Sequence, residues 1–446
     1  MTLDAYLQAN PDLKALRVMV ADLNGQVRGK RIARHYAAKA LETGIRCPYS
    51  TLNLDIWGKD IEDSPLVFQS GDADGVLKPT GRDPMSAPWV KTPTALLPMW
   101  MFHDDGTPFA GDPRQALAHV MARYAAAGLT PVVATELEFY LIDDSGPDWH
   151  VPPSPQSGKQ QAETDILGLR PLDAFDGFLT TLYDGCAAMD IPANTAISEG
   201  GPGQFEFTLM HQNNAMKAAD DAWLFKMLTR GIARNHGFAA SFMAKPYPDH
   251  AGSGLHCHFS VLDAQGRNIF NDGTPHGTDA LRFAIAGCLA AMPGSMLVFA
   301  PHGVSFDRFV PGAHAPTAVG WGMDNRTVAV RVPAGAPTAR RIEHRVAGAD
   351  VNPYLYLAVL LGAALNGIQD RVAPPAPITG NAYRHDLPHL PTRWGGAIAS
   401  FENCAEIRRI LTPDMRANFL ATKRQEMRHM ADLSVTDQRD LYLDTV

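Results

Sequence analysis

The chain has 446 residues, of which 46% are hydrophobic and 19% are charged, as is typical of a globular protein with two or three domains. Its net charge is −8, and neither a Lys/Arg block nor an acidic tail is present, which argues against a nucleic-acid-binding protein. The five cysteines are scattered and form no CxxC pair, a pattern typical of a reducing compartment rather than of a disulfide framework or a zinc site. We therefore expect a cytoplasmic protein.

The start of the sequence lacks the pattern of a signal peptide, a basic stretch followed by an apolar run. The most apolar windows are residues 285–300, which Pro293 interrupts, and residues 355–368, which are too few to cross a bilayer. Both windows are therefore predicted to be buried helices, and no membrane partner is expected.

The first hundred residues have the pattern of a small α/β unit. Residues 16–23 are rich in β-formers and are followed by Asn24-Gly25, a dipeptide typical of hairpin turns. Residues 59–82 are rich in Asp and Gly and have few periodic apolar positions, which predicts a loop.

A cluster of turn residues at positions 104–112 indicates a domain boundary. Directly after it, Asp112-Pro113 supplies an N-cap and a first-turn proline for a predicted helix at residues 114–127. We therefore divide the chain into an N-terminal domain, residues 1–105, and a larger second domain, residues 106–446.

Beyond this boundary, strand-like and helical patterns alternate along the chain. Apolar residues with a period of two predict strands at residues 130–142, 204–210, 256–262, 327–332 and 341–346. Helical patterns cover residues 172–189, 213–235 and most of 401–431. We expect an α+β fold in which a large antiparallel sheet carries the polar residues of interest.

Two glutamates share one face of the first of these strands. Residues two apart on a strand point the same way, so Glu136 and Glu138 lie together while Leu137 and Phe139 point into the core. Two adjacent carboxylates repel each other unless a cation, a shared proton or an arginine compensates. On its own, however, the pattern also fits a solvated strand face.

Similar polar patterns recur on the other predicted strands. Glu199 and Glu206 flank a glycine-rich turn, His256 and His258 alternate on one strand, and Glu343 lies between arginines on another. A lone His-x-His is commonly a hydrogen-bonded pair, and a lone Arg-x-Glu-x-Arg is commonly a surface salt-bridge ladder.

Taken together, five glutamates and one histidine form an oxygen-rich ligand set, which suits Mg²⁺ or Mn²⁺ better than zinc. Nearby arginines indicate phosphate handling, and the sequence has no GxxxxGK[ST] loop. The residues therefore predict a divalent-metal phosphoryl-transfer site on a sheet and leave its substrate open.

These segments occur in the order found in the glutamine synthetase family, which the chain resembles. The matching segments are Glu136-Leu137-Glu138, Glu199…Gly203-Gln204-Phe205-Glu206, Gly252-Ser253-Gly254-Leu255-His256-Cys257-His258, Arg308-Phe309-Val310-Pro311-Gly312, Asn325-Arg326…Arg331 and Arg340-Arg341-Ile342-Glu343-His344-Arg345…Asn352-Pro353-Tyr354. The segment Ala21-Asp22-Leu23-Asn24-Gly25…Arg28-Gly29-Lys30 resembles the small β-grasp domain of that family. The resemblance implies such a domain followed by a catalytic domain with a curved antiparallel sheet flanked by helices.

The resemblance also implies roles for individual residues, with ATP and at least two Mg²⁺ or Mn²⁺ ions in the site. One ion would be held by Glu138, Glu199 and Glu206, and the second by Glu136, His256 and Glu343. The remaining roles are phosphoryl neutralisation by Arg326 and Arg331, nucleotide binding by His258 and Ser260, and binding of glutamate and the acyl phosphate by Gly252, Arg308 and Arg345. Family members assemble as two stacked hexamers, which predicts a homo-dodecamer.

The chain departs from glutamine synthetases where ammonium would bind. In those enzymes the segment after Val-Pro-Gly carries a glutamate, whereas here the flap, residues 311–316, has His314, which the resemblance therefore places among the substrate-binding residues. The second acid of the ammonium pocket has no counterpart in register, although Asp55 lies nearby in the sequence. A small cation needs carboxylates to be captured from water, so their loss favours a larger amine.

The altered pocket resembles that of γ-glutamylpolyamine synthetases, which join the γ-carboxylate of glutamate to putrescine. This implies an ATP-dependent ligase that works through a γ-glutamyl phosphate intermediate. A true glutamine synthetase, a ligase for another amine such as ethanolamine, and an inactive structural or sensing homologue remain alternatives. Tyr383 lies near the position that is adenylylated in bacterial glutamine synthetases, but its flanking residues differ, so that regulation is not inferred.

Overall fold

The fold is described here from a computed structural model, which covers residues 3–146, 148–161, 165–443 and 445–446. The helices are α1 Leu3–Ala9, α2 Arg34–Thr43, α3 Pro113–Ala126, α4 Leu169–Ala174, α5 Asp176–Ala188, α6 Ala215–Asn235, α7 Asp279–Phe299, α8 Pro353–Asp370, α9 Trp394–Asn403, α10 Ala405–Ile410, α11 Pro413–Met430 and α12 Val435–Leu443. The strands are β1 Ala15–Ala21, β2 Val27–Ala33, β3 Ile45–Pro48, β4 Asp74–Pro79, β5 Met85–Ser86, β6 Thr94–Phe102, β7 Thr130–Ile142, β8 Ala193–Ser198, β9 Gln204–Gln212, β10 Ala239–Ser241, β11 Leu255–Leu262, β12 Trp321–Met323, β13 Val330–Val332 and β14 Ile342–His344. The predicted α+β class is confirmed.

The N-terminal strands form one mixed sheet in the order β2-β1-β6-β4-β3, with β5 also paired to β6. β1 and β2 are an antiparallel hairpin whose last paired residues are Ala21 and Val27, as the Asn24-Gly25 dipeptide predicts. Gly25 adopts φ 76°, the left-handed conformation that glycine accepts without steric cost. β1 runs parallel to β6, so the hairpin is tied to the centre of the sheet.

The prediction of a loop at residues 59–82 is wrong. This stretch contains a helical turn, Pro65–Gln69, and strand β4, which pairs with both β3 and β6. The strand has too few alternating apolar residues to be recognised locally, and it is held by its neighbours instead. Gly75 is needed there because a Cβ at this position would lie 2.6 Å from the ring of Tyr49.

The N-terminal sheet packs on both faces. Leu16 and Val18 belong to a core of their own, together with residues of β6, whereas Met19 and Ala21 belong to the main core of the protein. Because one face of the sheet is buried against the rest of the chain, the boundary at residue 105 stays a prediction.

The second sheet has the order β12-β13-β14-β11-β7-β9-β8, with β10 also paired to β7. Its neighbours are antiparallel except for the edge pair β12 and β13, which is parallel. Leu137 and Phe139 of the central strand β7 are fully buried, as the period-two pattern predicts. The opposite face of β7 is therefore left for its polar residues.

The two most apolar segments are helices of the core, as predicted. α7 is, within the described ranges, the helix that is long and apolar enough to cross a membrane, but 78% of that window is buried inside the protein. It contacts α8 along glycines, since a Cβ at Gly287 would lie 2.1 Å from the carbonyl oxygen of Ala363. The close approach of the two backbones explains why both helices carry small residues.

Candidate active site

The strand register gathers the polar side chains of β7, β9, β11 and β14 on one face of the large sheet. Glu136 on β7 lies directly opposite His256 on β11, and Glu138 lies opposite Glu206 on β9. Glu343 on β14 lies opposite His258 on β11. Directly opposed residues have Cβ atoms about 5 Å apart, so their side chains meet.

The carboxylate of Glu136 is shared by two imidazoles. Its Oε1 lies 2.9 Å from Nε2 of His258, and its Oε2 lies 3.3 Å from Nδ1 of His256. Although burial opposes it, hydrogen bonding to His256 and His258 holds the pKa of Glu136 below its usual range. This glutamate is therefore ionised and joins both histidines.

Three overlapping groups of side chains have the spacing of a metal site. Within each group, one ligand atom from every residue lies within 4.8 Å of the others. The groups are Glu138–Glu199–Glu206, Glu136–Glu206–His256 and Glu136–His258–Glu343. All six side chains predicted as metal ligands belong to these groups, although their role as ligands stays a prediction.

The first group matches one predicted ligand set, whereas the second predicted set is divided between two groups. Glu136 meets His256 in one group and Glu343 in another, and His258 joins Glu343. Sequence reasoning assigned His258 to the nucleotide alone. The His-x-His spacing held the missing signal, because both imidazoles share one face of β11.

The carboxylates of the first group are close together and largely shielded from water. Burial and the charge of Glu199 raise the pKa of Glu138 to about 8. Burial and the charges of Glu136, Glu138 and Glu199 raise the pKa of Glu206 to about 10. Such a cluster is unfavourable by itself and is relieved by a cation, so its oxygen-rich donors fit Mg²⁺ or Mn²⁺.

Arginines surround Glu343, which is almost fully buried. Nη1 of Arg331 donates to its Oε2 at 2.7 Å, and Nη1 of Arg345 donates to its Oε1. Although burial opposes it, the charge of Arg345, with help from Arg331 and the histidines, lowers the pKa of Glu343 to about 2. Burial raises the pKa of Glu199, and the charge of the exposed Arg326 is among the effects that oppose this rise.

Arg308 is buried in a slot between glycines. Its Nη1 donates to the carbonyl oxygen of Val346 at 2.8 Å. A Cβ at Gly252 would lie 2.7 Å from Cγ of Arg308, and a Cβ at Gly254 would lie 2.6 Å from its Nη2. Gly252 therefore leaves room for the aliphatic part of the Arg308 side chain and Gly254 for its guanidinium group, a reason for Gly252 that the sequence alone does not give.

Gln204 is a residue of the site to which sequence reasoning gave no role. Its Nε2 donates to the carbonyl oxygen of Gly252 at 3.1 Å and to Oγ of Ser253 at 3.2 Å, and its Oε1 accepts from the N–H of Gly201 at 2.8 Å. The N–H of Gly254 donates to Glu138 at 2.8 Å. Gln204 thus ties the turn after Glu199 to the loop beside Arg308.

Three other predicted residues lie at or beyond the margin of this arrangement. Ser260 is half-buried and continues the face of His258 along β11. His314 is exposed in the flap, with φ 54°. Asp55 is buried, where it accepts from the N–H groups of Trp57 and Lys59 and from Gln425, so it stabilises its own turn.

The sheet thus brings to one face acidic, imidazole and guanidinium groups, a donor set that fits a divalent metal ion and phosphate groups. The chain belongs to the glutamine synthetase family, whose catalytic domain matches residues 110–442. Enzymes of this family use ATP, divalent metal ions and small-molecule substrates, in agreement with the acidic groups described above.

Individual relatives are similar over nearly the whole chain. It is 35% identical to γ-glutamylputrescine synthetase PuuA of Escherichia coli, over 95% of this chain and 90% of that protein. It is 32% identical to γ-glutamylethanolamide synthetase GlnA4 of Streptomyces coelicolor, over 97% of this chain and 92% of that protein. A solved structure titled "GmaS/ADP complex-Conformation 1" has a TM-score of 0.84 and 25% identity, and 99% of each chain is covered. The fold and the ligase family are thereby established.

Proposed function

We propose that the protein is an ATP-dependent ligase that joins the γ-carboxylate of glutamate to an amine, putrescine or a related polyamine. The observation that carries this proposal is the convergence of five glutamates and two histidines with arginines on one face of the sheet. Relatives named for γ-glutamyl amides of putrescine and of ethanolamine support the same type of product.

Two divalent ions would be held by the acidic groups. Glu138, Glu199 and Glu206 would hold one, and Glu136, His256 and Glu343 would hold the other, with His258 within reach of the second. Bound there, the ions would supply positive charge to the phosphates of ATP during transfer.

The arginines would complete the neutralisation of charge. Arg326 and Arg331 would face the transferring phosphoryl group, and Arg308 and Arg345 would bind the glutamate carboxylates and the acyl phosphate. The loop of Gly252 would line the glutamate site, while His258 and Ser260 would lie beside the nucleotide. Guanidinium groups suit these tasks because they bind carboxylate and phosphate in a bidentate fashion.

The proposed reaction has two steps. The γ-carboxylate oxygen of glutamate attacks the γ-phosphorus of ATP, which gives γ-glutamyl phosphate and ADP. The amine nitrogen then attacks the γ-carbonyl carbon, the C–O bond to phosphate breaks, and the nitrogen loses a proton. Positioning and electrostatics suffice for both steps, since no residue needs to become covalently linked.

The amine is inferred from the acids that the pocket lacks. The flap contains no Asp or Glu, and the carboxylate of Asp55 accepts hydrogen bonds from the N–H groups of Trp57 and Lys59 in its own turn. A pocket without these carboxylates favours a larger amine over ammonium. Ethanolamine is the second candidate, because a relative is named for its γ-glutamyl amide.

We further propose that the enzyme is a cytoplasmic homo-dodecamer of two stacked hexamers. The family resemblance supports the assembly, and the five free cysteines support a reducing compartment. Light scattering coupled to gel filtration tests the assembly, because a dodecamer and a hexamer differ twofold in mass.

The function is tested with glutamate, ATP and Mg²⁺ over a panel containing putrescine, ethanolamine and ammonium at equal concentrations. We expect phosphate release and a γ-glutamyl amide to rise strongly with putrescine and little with ammonium. Equal or faster turnover with ammonium would reassign the protein as a glutamine synthetase. No turnover with any of these amines would refute the proposed function and leave a ligase for a different amine or the inactive homologue.

A further inference from the structure

The flap, residues 311–316, joins directly to the segment that carries Arg308. Residues 310–314 are exposed, whereas Ala315 and Pro316 are buried. Gly312 and His314 both adopt left-handed backbone conformations, with φ 86° and 54°. The flap is therefore an exposed, sharply turned segment between two buried ends, Arg308 before it and Ala315 at its return.

The return end of the flap is held by a tyrosine from a distant part of the chain. Oη of Tyr383 donates to the carbonyl oxygen of Ala315 at 3.0 Å, across 68 residues of sequence. Because the acceptor is a backbone carbonyl, this hydrogen bond positions the peptide group of Ala315 and does not involve the alanine side chain. Tyr383 therefore sets where the flap returns to the protein.

Tyr383 belongs to a segment that we call the strap, defined as residues 375–390. The strap runs beside residues 317–328, to which it is joined by backbone hydrogen bonds such as those from Ile378 to Trp321 and from Val319 to Pro388, both 2.8 Å. An apolar cluster that includes Ile378 and Val328 packs beneath it. The strap therefore offers a fixed support for the more exposed flap.

The hydroxyl of Tyr383 also lies within electrostatic range of the arginines proposed to bind glutamate. Burial raises the pKa of Tyr383, and the positive charges of Arg308 and Arg345 oppose that rise. The residue thus stands between the flap and the guanidinium groups. Removal of its hydroxyl would release the flap directly, because that group is bonded to Ala315. Arg308 would be affected less, because its own hydrogen bond to Val346 is kept.

We propose that Tyr383 is a positioning residue that latches the flap over the acyl-phosphate site and so favours attack by the amine over attack by water. This inference rests on the proposed function. In the competing reaction, water attacks the γ-carbonyl carbon, the C–O bond to phosphate breaks, and glutamate and phosphate are formed without an amide. A flap that is held in place excludes water from this reaction and shapes the path of the amine.

The test compares the wild type with Tyr383→Phe, which removes the hydroxyl and keeps the ring. Tyr36→Phe is the matched control, because Tyr36 is 58% exposed on α2. Loss of one net hydrogen bond predicts a rise of roughly three- to tenfold in the KM for putrescine. The phosphate released per amide formed should rise as well, while the KM values of glutamate and ATP stay within about twofold.

Hydrogen exchange followed by mass spectrometry gives a second readout that does not depend on turnover. The flap amides should exchange at least about threefold faster in Tyr383→Phe than in the wild type or Tyr36→Phe. The latch is overturned if amine KM, coupling ratio and flap exchange all match the wild type. If the wild type forms no amide, the proposed function is refuted. The hydrogen bond from Tyr383 is then tested by flap exchange alone, and equal exchange in Tyr383→Phe and the wild type overturns its role.

Discussion

Glu138 and Glu206 occupy directly opposed positions on the antiparallel strands β7 and β9, so two carboxylates face each other at the centre of the site. Burial and the surrounding carboxylates raise the pKa of both groups, to about 8 and about 10. Their proximity therefore opposes folding unless a cation is bound. The arrangement favours metal binding at the expense of the stability of the metal-free protein.

This conflict predicts that Glu206→Gln stabilises the metal-free enzyme while it abolishes activity. An acid whose pKa is higher in the folded state than in the unfolded state destabilises the fold when the pH is above the unfolded-state pKa. This penalty decreases as the pH falls toward the unfolded-state pKa. At pH 8 in EDTA, the variant should therefore gain about 1 kcal/mol or more in unfolding free energy. The gain should vanish near about pH 4.5, where the unfolded-state carboxyl is half protonated.

Thermal unfolding at several pH values, with EDTA and with Mg²⁺, measures this effect. Mg²⁺ should stabilise the wild type much more than the variant. Glu42→Gln on the exposed surface of α2 serves as the control and should change neither curve. A Glu206→Gln enzyme that is less stable than the wild type in EDTA at pH 8 would contradict the assignment of repulsion.

The common face of the site could be predicted from the sequence because it depends on a local rule. The period of two places Glu136 with Glu138 and His256 with His258, whatever the rest of the fold. What the sequence could not supply is the register between strands, which decides that His258 rather than Cys257 faces Glu343. The division of ligands between groups follows from that register.

Features that depend on distant partners were missed for the same reason. The local sequence pattern predicts a loop where β4 lies, because this strand is stabilised by its pairing with β6 and not by alternating apolar residues of its own. Asp55 lies near the expected amine-site acid in the sequence, yet its carboxylate accepts from the N–H groups of Trp57 and Lys59 and from Gln425, which is 370 residues away in sequence. Gln204 stood inside a recognised motif, but its bonds join two loops whose approach only the fold defines.

Glu343 is predicted to tolerate replacement by Gln better than by Ala. Both variants should lose more than about 100-fold in kcat, because each removes a proposed metal ligand. Both variants remove the negative charge that Arg331 and Arg345 share, but the amide oxygen of Gln can still accept from a guanidinium group. Glu343→Ala leaves both guanidinium groups without an acceptor there, which costs about 3–5 kcal/mol for a buried pair. Circular dichroism melts should therefore rank the wild type, Glu343→Gln and Glu343→Ala in decreasing order.

If Glu343→Gln retained wild-type turnover, the metal assignment of this residue would have to be redrawn. If Glu343→Ala were as stable as the wild type, the arginines would not need this partner for folding. The two outcomes are independent, since the first concerns chemistry and the second concerns a buried ion pair.

Gln204→Glu is predicted to weaken glutamate binding although it keeps the shape of the side chain. Glutamate cannot donate to the carbonyl oxygen of Gly252, and it adds a negative charge 3.5 Å from Oε2 of Glu138. We expect the KM for glutamate to rise at least about tenfold, as for the loss of a buried donor. Initial rates measure this, with Gln8→Glu, at an exposed position of α1, as the control.

Gly254→Ala tests whether the slot of Arg308 is as narrow as the structure indicates. The added Cβ would lie 2.6 Å from Nη2 of Arg308, closer than such atoms approach, so the guanidinium group must move. Because φ of Gly254 does not lie in the left-handed region, the substitution introduces this contact without backbone strain. We expect the KM for glutamate to rise at least about tenfold, since displacement of a charged hydrogen-bonding group costs about 1.5–3 kcal/mol. The KM for ATP should change less, because the added Cβ would approach Nε2 of His256 only to 3.1 Å. Gly395→Ala, on the exposed side of α9, is the control, because its nearest neighbour would be 3.8 Å away at the sulfur of Met427. An unchanged glutamate KM in Gly254→Ala would mean that Arg308 is free to shift or does not bind this substrate.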